Sequence, residues 1–348
     1  MSSDTESPKR KVVITGGAGF IGSQLGSELH RRGHEVILLD NMSFGHLDNL
    51  IVDGKTFGQL VVKDIRDPDL KTVFTGAHTV FHFAGVAALP VCQSEPQYAY
   101  DVNVSGTANV LEAARLSGVS RVIFSSTSAV YENSIHEVDN YKETDSIQPD
   151  LIYSMTKAAS EDICKAYSKN YNMDIIICRF FNVYGPHQDF RRKSPPFTSY
   201  VVRELALDRQ PTLFNQTDAK RDYIYSSDLI SLMLKMWAST DTFHAEIFNI
   251  STGIGWSVPE LYSKLCTIAD KNISTNYKDP TLFWDKYKTL TDAPYSLDPN
   301  RITKEVHKNC VGDATKARKT FNWEPQVTID RGLFEVYKYT QDHSNCID

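Results

Sequence analysis

The stretch KVVITGGAGFIG, residues 11–22, decides the architecture. An apolar, β-rich run (Lys11–Thr15) enters Gly17-x-Gly19-x-x-Gly22, and a helix-compatible segment follows from Ser23. One glycine makes the tight turn, another lets the backbone approach a pyrophosphate, and Gly22 allows helix and strand to pack closely. The helix N-terminus then offers free N–H donors and a partial positive charge to phosphates. The next run, Glu35–Asp40, ends in an acid eighteen residues past Gly22. An aspartate there accepts bonds from a ribose 2′-hydroxyl and repels a 2′-phosphate, so Asp40 predicts NAD rather than NADP.

Outward from this loop, strand-like runs alternate with helical stretches. The runs are Lys11–Thr15, Glu35–Asp40, Gln59–Lys63, Thr79–Phe83, Arg121–Ser126 and Asp174–Arg179; the stretches are Ser23–Arg32, Tyr98–Ser117 and Lys157–Asn170. Such alternation means βαβ units and a doubly wound parallel sheet with helices on both faces, a Rossmann-type α/β fold. Beyond residue 180 the rhythm breaks into Gly/Pro-rich loops, helices near Pro196–Leu207 and Ser227–Ala238, and an isolated strand at Ile247–Ile250. Residues from about 255 to 325 read as a smaller mixed α/β lobe at the carboxyl edge of the sheet, where ligands of open α/β sheets bind.

The chain has 348 residues, 41% hydrophobic, with a formal net charge of -6. That charge argues against a general nucleic-acid or membrane binder, which needs a positive field. The polar first ten residues and the short run Val12–Ile14 read as neither a signal peptide nor a membrane span. Cys92, Cys164, Cys178, Cys266, Cys310 and Cys346 are scattered without metal-ligand spacing, so reduced thiols in the cytoplasm and no metal are expected.

Tyr153-Ser-Met-Thr-Lys157 puts a phenol and an amine four residues apart, on one face of a helix. A tyrosine is a poor base near neutrality, and a nearby ammonium and an oxidised nicotinamide ring would stabilise its phenolate. The run Ser125-Ser126-Thr127-Ser128 clusters hydroxyls where a parallel strand delivers its carboxyl end. A serine or threonine there hydrogen-bonds a substrate hydroxyl and shares its proton with the tyrosine.

Together with LLDN (38–41), DIRD (64–67), FHFAG (81–85), NVSGTANVLEAA (103–114), SSTSAVY (125–131), RFFNVYGP (179–186) and KRDYIYSSDL (220–229), these features resemble the extended short-chain dehydrogenase/reductase family, the NAD-dependent nucleotide-sugar epimerases and dehydratases. The resemblance spans about residues 10–335. It implies Thr127, Tyr153 and Lys157 as catalytic residues. For the cofactor it implies Gly16, Gly19, Phe20, Ile21, Gly22, Asp40, Asn41, Asp64, Ile65, Phe83, Ala84, Asn103, Ser125 and Phe180, besides Tyr153 and Lys157. For a nucleotide sugar, UDP-linked by the same resemblance, it implies Thr127, Ser128, Asn182 and Arg221. A planar guanidinium suits phosphate oxygens, and the alternative for Arg221 is a salt bridge to Asp222. Residues 10–185 would form the NAD-binding domain, its sheet completed by segments near 220–250, and 186–340 mainly the sugar-nucleotide lobe. Homodimers of similar enzymes pair two long helices per subunit into a four-helix bundle. Tyr98–Ser117 (Val110, Leu111, Ala114) and Tyr153–Asn170 (Ala159, Ile163, Ala166) are the candidates, and packing on the sheet explains the same pattern.

The resemblance also bears on the reaction. Family 4,6-dehydratases carry an acidic pair directly after the threonine, and related decarboxylases a glutamate at the second position; here Ser128 and Ala129 stand there. With no acid to act at carbon, the expected outcome is 4-epimerisation through a 4-keto sugar. The alternatives are a lyase that recruits Glu132, which lies just beyond Tyr131 where the family usually has glycine, and a non-catalytic NAD-binding sensor. Arg191, Arg192 and Lys193 either meet a sugar carboxylate or phosphate or are solvated loop charge. UDP-glucose, UDP-N-acetylglucosamine and UDP-glucuronate all stay open, and the unusual stretches AGVAALPVCQSEP (84–96) and VYENS (130–134) lie near the expected sugar site.

Overall fold

A computed structural model describes residues 9–132 and 140–343; Cys346 and the end of the VYENS stretch lie outside the described residues. Seven parallel strands form the central sheet: β1 (Lys11–Thr15), β2 (Glu35–Asp40), β3 (Gln59–Val62), β4 (Thr79–His82), β5 (Arg121–Thr127), β6 (Ile175–Phe180) and β7 (Glu246–Ile250). Their order is β3-β2-β1-β4-β5-β6-β7, every pair parallel. The chain starts in the middle, winds to one edge through β2 and β3, then reverses through β4. That reversal opens a crevice between the loops after β1 and β4.

The strand residues alternate between two apolar layers, because successive side chains of a strand point to opposite faces. Val12 and Ile14 pack with Leu25 and Leu29 of α1 (Phe20–Arg31) and with Leu229 and Met233 of the helix Ser226–Ala238. Val13 packs with Val110 and Leu111 of α2 (Gly106–Leu116) and Cys164 of α3 (Ile152–Tyr171). A fully buried residue on both faces is what a doubly covered parallel sheet demands.

Three expectations shift. The strand expected at Ile247–Ile250 starts one residue earlier, and Glu246–Ile250 pairs with β6 from Glu246↔Ile176 to Ile250↔Phe180 and closes the sheet edge. The helix read from Lys157 by composition and from Tyr153 by resemblance begins at Ile152, so Tyr153 sits in its first turn. The expected helix 98–117 is continuous but contains a π-turn, Asp101–Ser105, between Pro96–Tyr100 and α2.

The second lobe centres on a three-stranded sheet, Gly255–Ser257, Lys220–Tyr225 and Asn182–Tyr184. Its core joins Val201, Val202 and Leu205 to Leu261, Leu265, Leu333 and Val336. The chain does not leave the first lobe for good at residue 185, since Ala317, Phe321 and Trp323 return to pack with Phe248 under the main sheet. Among the described residues no helix is long and apolar enough to cross a membrane.

Candidate active site

The crevice at the carboxyl ends of β1, β2, β4, β5 and β6 is a cleft of about 370 Å³. Gly16, Gly19, Phe20, Ile21 and Gly22 form its floor, Asp40, Asn41, Asp64 and Ile65 one end, and Ser125, Thr127, Tyr153, Lys157 and Phe180 the other, with Phe83 and Ala84 between.

The glycine loop is shaped by what it excludes. Gly16 has φ +71°, and a Cβ there would sit 2.9 Å from the Ala84 nitrogen; a Cβ on Gly22 would sit 2.2 Å from the Gly16 carbonyl oxygen. The turn therefore delivers α1 with no side chain capping its N-terminus, and the first-turn amides are left for an anionic group. A dinucleotide pyrophosphate meets those requirements.

At the far end, Asp40 is buried and accepts bonds from the backbone N–H groups of Ala18 (3.0 Å) and Met42 (2.8 Å). Burial raises its carboxyl above the ordinary value, against the pull of those two bonds. Each oxygen keeps a lone pair for a ribose hydroxyl. Beside it, Asn41 donates to Asp64 at 2.8 Å, and the Arg66 guanidinium holds the Asp64 carboxyl well below the usual range. These residues fit the adenosine end of NAD.

The reactive end is drier. Tyr153 and Lys157 project from consecutive turns of α3, and Lys157 is buried with its ammonium 4.5 Å from the centre of the Phe124 ring. Burial pushes the Tyr153 phenol up to about 12, with the Thr127 hydroxyl pulling the other way and the Glu132 charge adding to the rise. Burial also draws Lys157 down to about 8. Desolvation outweighs the phenolate stabilisation expected from the neighbouring amine, because low-dielectric surroundings disfavour both charged forms.

A buried framework fixes this end. Glu161, one turn after Lys157, receives Arg179 at 2.7 Å and the Ser126 hydroxyl at 2.5 Å, which locks α3, β5 and β6 together. Neutral His82 bridges Thr15 (2.8 Å) and Thr107 (3.0 Å), its pKa drawn down to about 3 by burial. Within the π-turn, the Asn103 carbonyl accepts from the hydroxyls of Thr107 and of Ser160 of α3.

Four of the expected residues are not among those lining the cleft. Asn103 does not line the cleft; its amide holds both backbone polar groups of Val86 and the Thr156 hydroxyl, bracing the cleft wall from behind. Ser128 turns away into the short helix Ser128–Tyr131, and its carbonyl faces the Cys310 thiol. Asn182 spends its amide on the Asp222 carbonyl across the small sheet. Arg221 pairs with Glu305 at 3.2 Å, not with Asp222, whose carboxylate accepts the N–H groups of Thr252 and Gly253. That pairing joins residues 84 apart in the chain, and the adjacent acid drew attention instead.

Sequence reading missed the cap of α3. Glu132 Oε2 accepts from the N–H groups of Asp150 and Leu151 (2.9 Å each) and from the Ser154 hydroxyl (2.5 Å), while Gln93 accepts from Ile152 N–H at 3.2 Å. The one signal was that both stretches depart from the family pattern. Also missed were Val86, Ala88, Gln188 and Asp189, which complete the wall beside Arg192.

The profile of the NAD dependent epimerase/dehydratase family matches residues 12–251. A putative UDP-glucose 4-epimerase of Methanocaldococcus jannaschii is 28% identical over 339 residues, 96% of this chain and 99% of its own. UDP-glucuronic acid decarboxylase 1 of Arabidopsis thaliana is 26% identical over 329 residues, 93% of this chain and 68% of the plant protein. The crystal structure of Thermotoga maritima UDP-glucose 4-epimerase with UDP-glucose superimposes with a TM-score of 0.83 at 27% identity, across 96% of this chain and 99% of that one. The family match begins within β1 and ends just past β7, taking in the whole parallel sheet, and the chain belongs to the NAD-dependent epimerase/dehydratase family.

Proposed function

We propose that the chain catalyses the 4-epimerisation of a UDP-linked sugar, of the glucose, N-acetylglucosamine or glucuronate type, through a transient 4-keto sugar. The observation that carries this reading is the set of side chains beside Tyr153. Among the described residues, the acids lining the cleft are Asp40, Asp64 and Asp189, and Glu132, whose Oε2 receives three donors at the start of α3, does not line it. Loss of water or carbon dioxide requires a group that moves protons at carbon.

NAD, when bound, supplies a hydride acceptor and a positive ring that favours the phenolate. Tyr153 takes the proton of the 4-hydroxyl, Thr127 hydrogen-bonds the same oxygen, and Lys157 sets the charge around the phenol. With the 4-keto sugar turned to present its other face, hydride would return to C4 and the Tyr153 proton to its oxygen, inverting C4 with no net redox change. Gly16 to Gly22, Asp40, Asn41, Asp64, Ile65, Phe83, Ala84, Ser125 and Phe180 hold the cofactor in this reading. Residues 186–340, less the segments that return to the sheet, hold the nucleotide sugar.

Purified protein with catalytic NAD and each of the three UDP-sugars, followed by proton NMR, tests the proposal. A C4 epimer without accumulating NADH supports it. Release of water or carbon dioxide moves the chain to the lyases, a reading that the similarity to a decarboxylase keeps in view.

A homodimer belongs to the same proposal. Val110, Leu111 and Ala114 are buried against the sheet, but Tyr100, Leu116, Met155 and Tyr171 are exposed along the same two helices. Sedimentation of the wild type and of Met155→Glu reads it out: a monomer at micromolar wild-type concentration would overturn the dimer.

A further inference from the structure

The run Arg191-Arg192-Lys193 carries three adjacent positive charges, and the structure treats them differently. Arg191 is exposed, 3.8 Å from Asp48 and 4.0 Å from Asp189. Lys193 donates to the Lys286 carbonyl at 2.9 Å and lies over the Tyr287 ring. Arg192 is half-buried and lines the cleft with Gln188, Asp189 and Pro196. Its Nε donates to the Ser194 carbonyl at 2.9 Å, and its two terminal nitrogens have no hydrogen-bond or ion-pair partner among the described residues.

Four arginines that reach inward are each matched by a carboxylate: Arg121 by Asp174, Arg179 by Glu161, Arg221 by Glu305 and Arg301 by Glu132. Taking a guanidinium out of water is costly unless an anion meets it, so an unmatched one at a binding cleft is a receptor for an anion. Burial already draws Arg192 below its ordinary pKa, against the pull of Asp189. Arg221, the cation expected to meet a diphosphate, is spent on Glu305.

We propose that Arg192 is the anion-binding side chain of the cleft, its free guanidinium edge receiving paired oxygens of a bound ligand. The chemistry is that of a diphosphate or a carboxylate, and three sources offer it: the dinucleotide, the nucleotide diphosphate, and an acidic sugar. The last two rest on the function proposed above; the first does not.

Calorimetric titration of wild type, Arg192→Gln and Arg192→Lys with NAD, UDP, UDP-glucose and UDP-glucuronate separates them. We expect Arg192→Gln to lose roughly tenfold or more in affinity for at least one ligand, as for a lost charge-assisted contact. Arg192→Lys should recover part of it, because lysine keeps the charge but not the fork. Loss for NAD alone assigns the dinucleotide. Equal loss for UDP and both UDP-sugars assigns the nucleotide diphosphate, and loss confined to UDP-glucuronate assigns the sugar carboxylate. Affinities within about twofold of wild type for every ligand that binds, in a variant with an unchanged melting curve, overturn the proposal. If the wild type binds none of the uridine ligands, the function proposed above fails while the NAD titration still judges Arg192.

Discussion

Glu132 Oε2 lies 3.1 Å from the Arg301 guanidinium, and through this contact the helix Pro299–Val306 of the second lobe grips the start of α3. Asp150, 2.5 Å from the same guanidinium, completes the clasp. The carboxylate that sequence offered as a spare acid is thus the cap of the helix that aims Tyr153, and the anchor of the lobe that would cover it.

Glu132→Ala should therefore destabilise the fold by about 1–3 kcal/mol, since the Asp150 and Leu151 N–H groups and the Ser154 hydroxyl lose their acceptor while Arg301 keeps Asp150. Glu132→Gln, whose amide oxygen still accepts from Asp150 and Leu151, should cost less and keep epimerase turnover. Thermal melts with a turnover assay check both. A folded Glu132→Gln protein with no turnover would instead make the Glu132 carboxylate part of the reaction.

Tyr153→Phe should lower kcat by roughly 10²–10⁴-fold, the usual worth of a general base, with NAD affinity little changed. Steady-state rates beside a cofactor titration read this out. Surviving turnover would transfer the role to another group.

The folded state releases the Lys157 proton near 8, against 10.5 for the free side chain. Between those values the unfolded chain holds a proton that the folded chain has lost, so stability due to this residue rises with pH across the window. At lower pH both states are charged and the folded one bears the whole desolvation cost, about 3 kcal/mol. Lys157→Met should be more stable than wild type near neutrality, and the advantage should shrink towards pH 10.5. Urea unfolding across that range checks the slope; a constant difference would mean the amine is not desolvated.

Asp40→Ser should weaken NAD by roughly tenfold or more and narrow its preference over NADP, because a charged acceptor is lost and repulsion of the 2′-phosphate disappears. Fluorescence titration with both dinucleotides measures it. An unchanged ratio would place the ribose elsewhere.

The parallel strands and the glycine turn were legible because their signals are local: apolar runs a few residues long, and glycines where a Cβ would strike Gly16 or Ala84. The far edge of the sheet was legible only as a segment somewhere near 220–250, since pairing Glu246–Ile250 with β6 joins segments some seventy residues apart. The same holds for charges. Arg221 looks free beside a neighbouring aspartate until Glu305 folds onto it, and the arginine that faces the cleft unmatched, Arg192, looks in sequence like either of its neighbours. Hydroxyls and amides that brace the site, such as Asn182, differ from those that line it only in where their partners fall.

The π-turn at Asp101–Ser105 sets the phase of everything after it. Each helical residue advances about 100° around the axis, so the extra residue in that turn is what keeps Thr107 beneath His82 and Val110 and Leu111 against the sheet. Removing a single residue there would relax the turn to ordinary helix and swing α2 round by that angle, pointing its apolar stripe off the sheet. This segment, though far from the chain's termini and partly exposed, should be among the least tolerant of length change, while substitutions at its outward positions pass unnoticed.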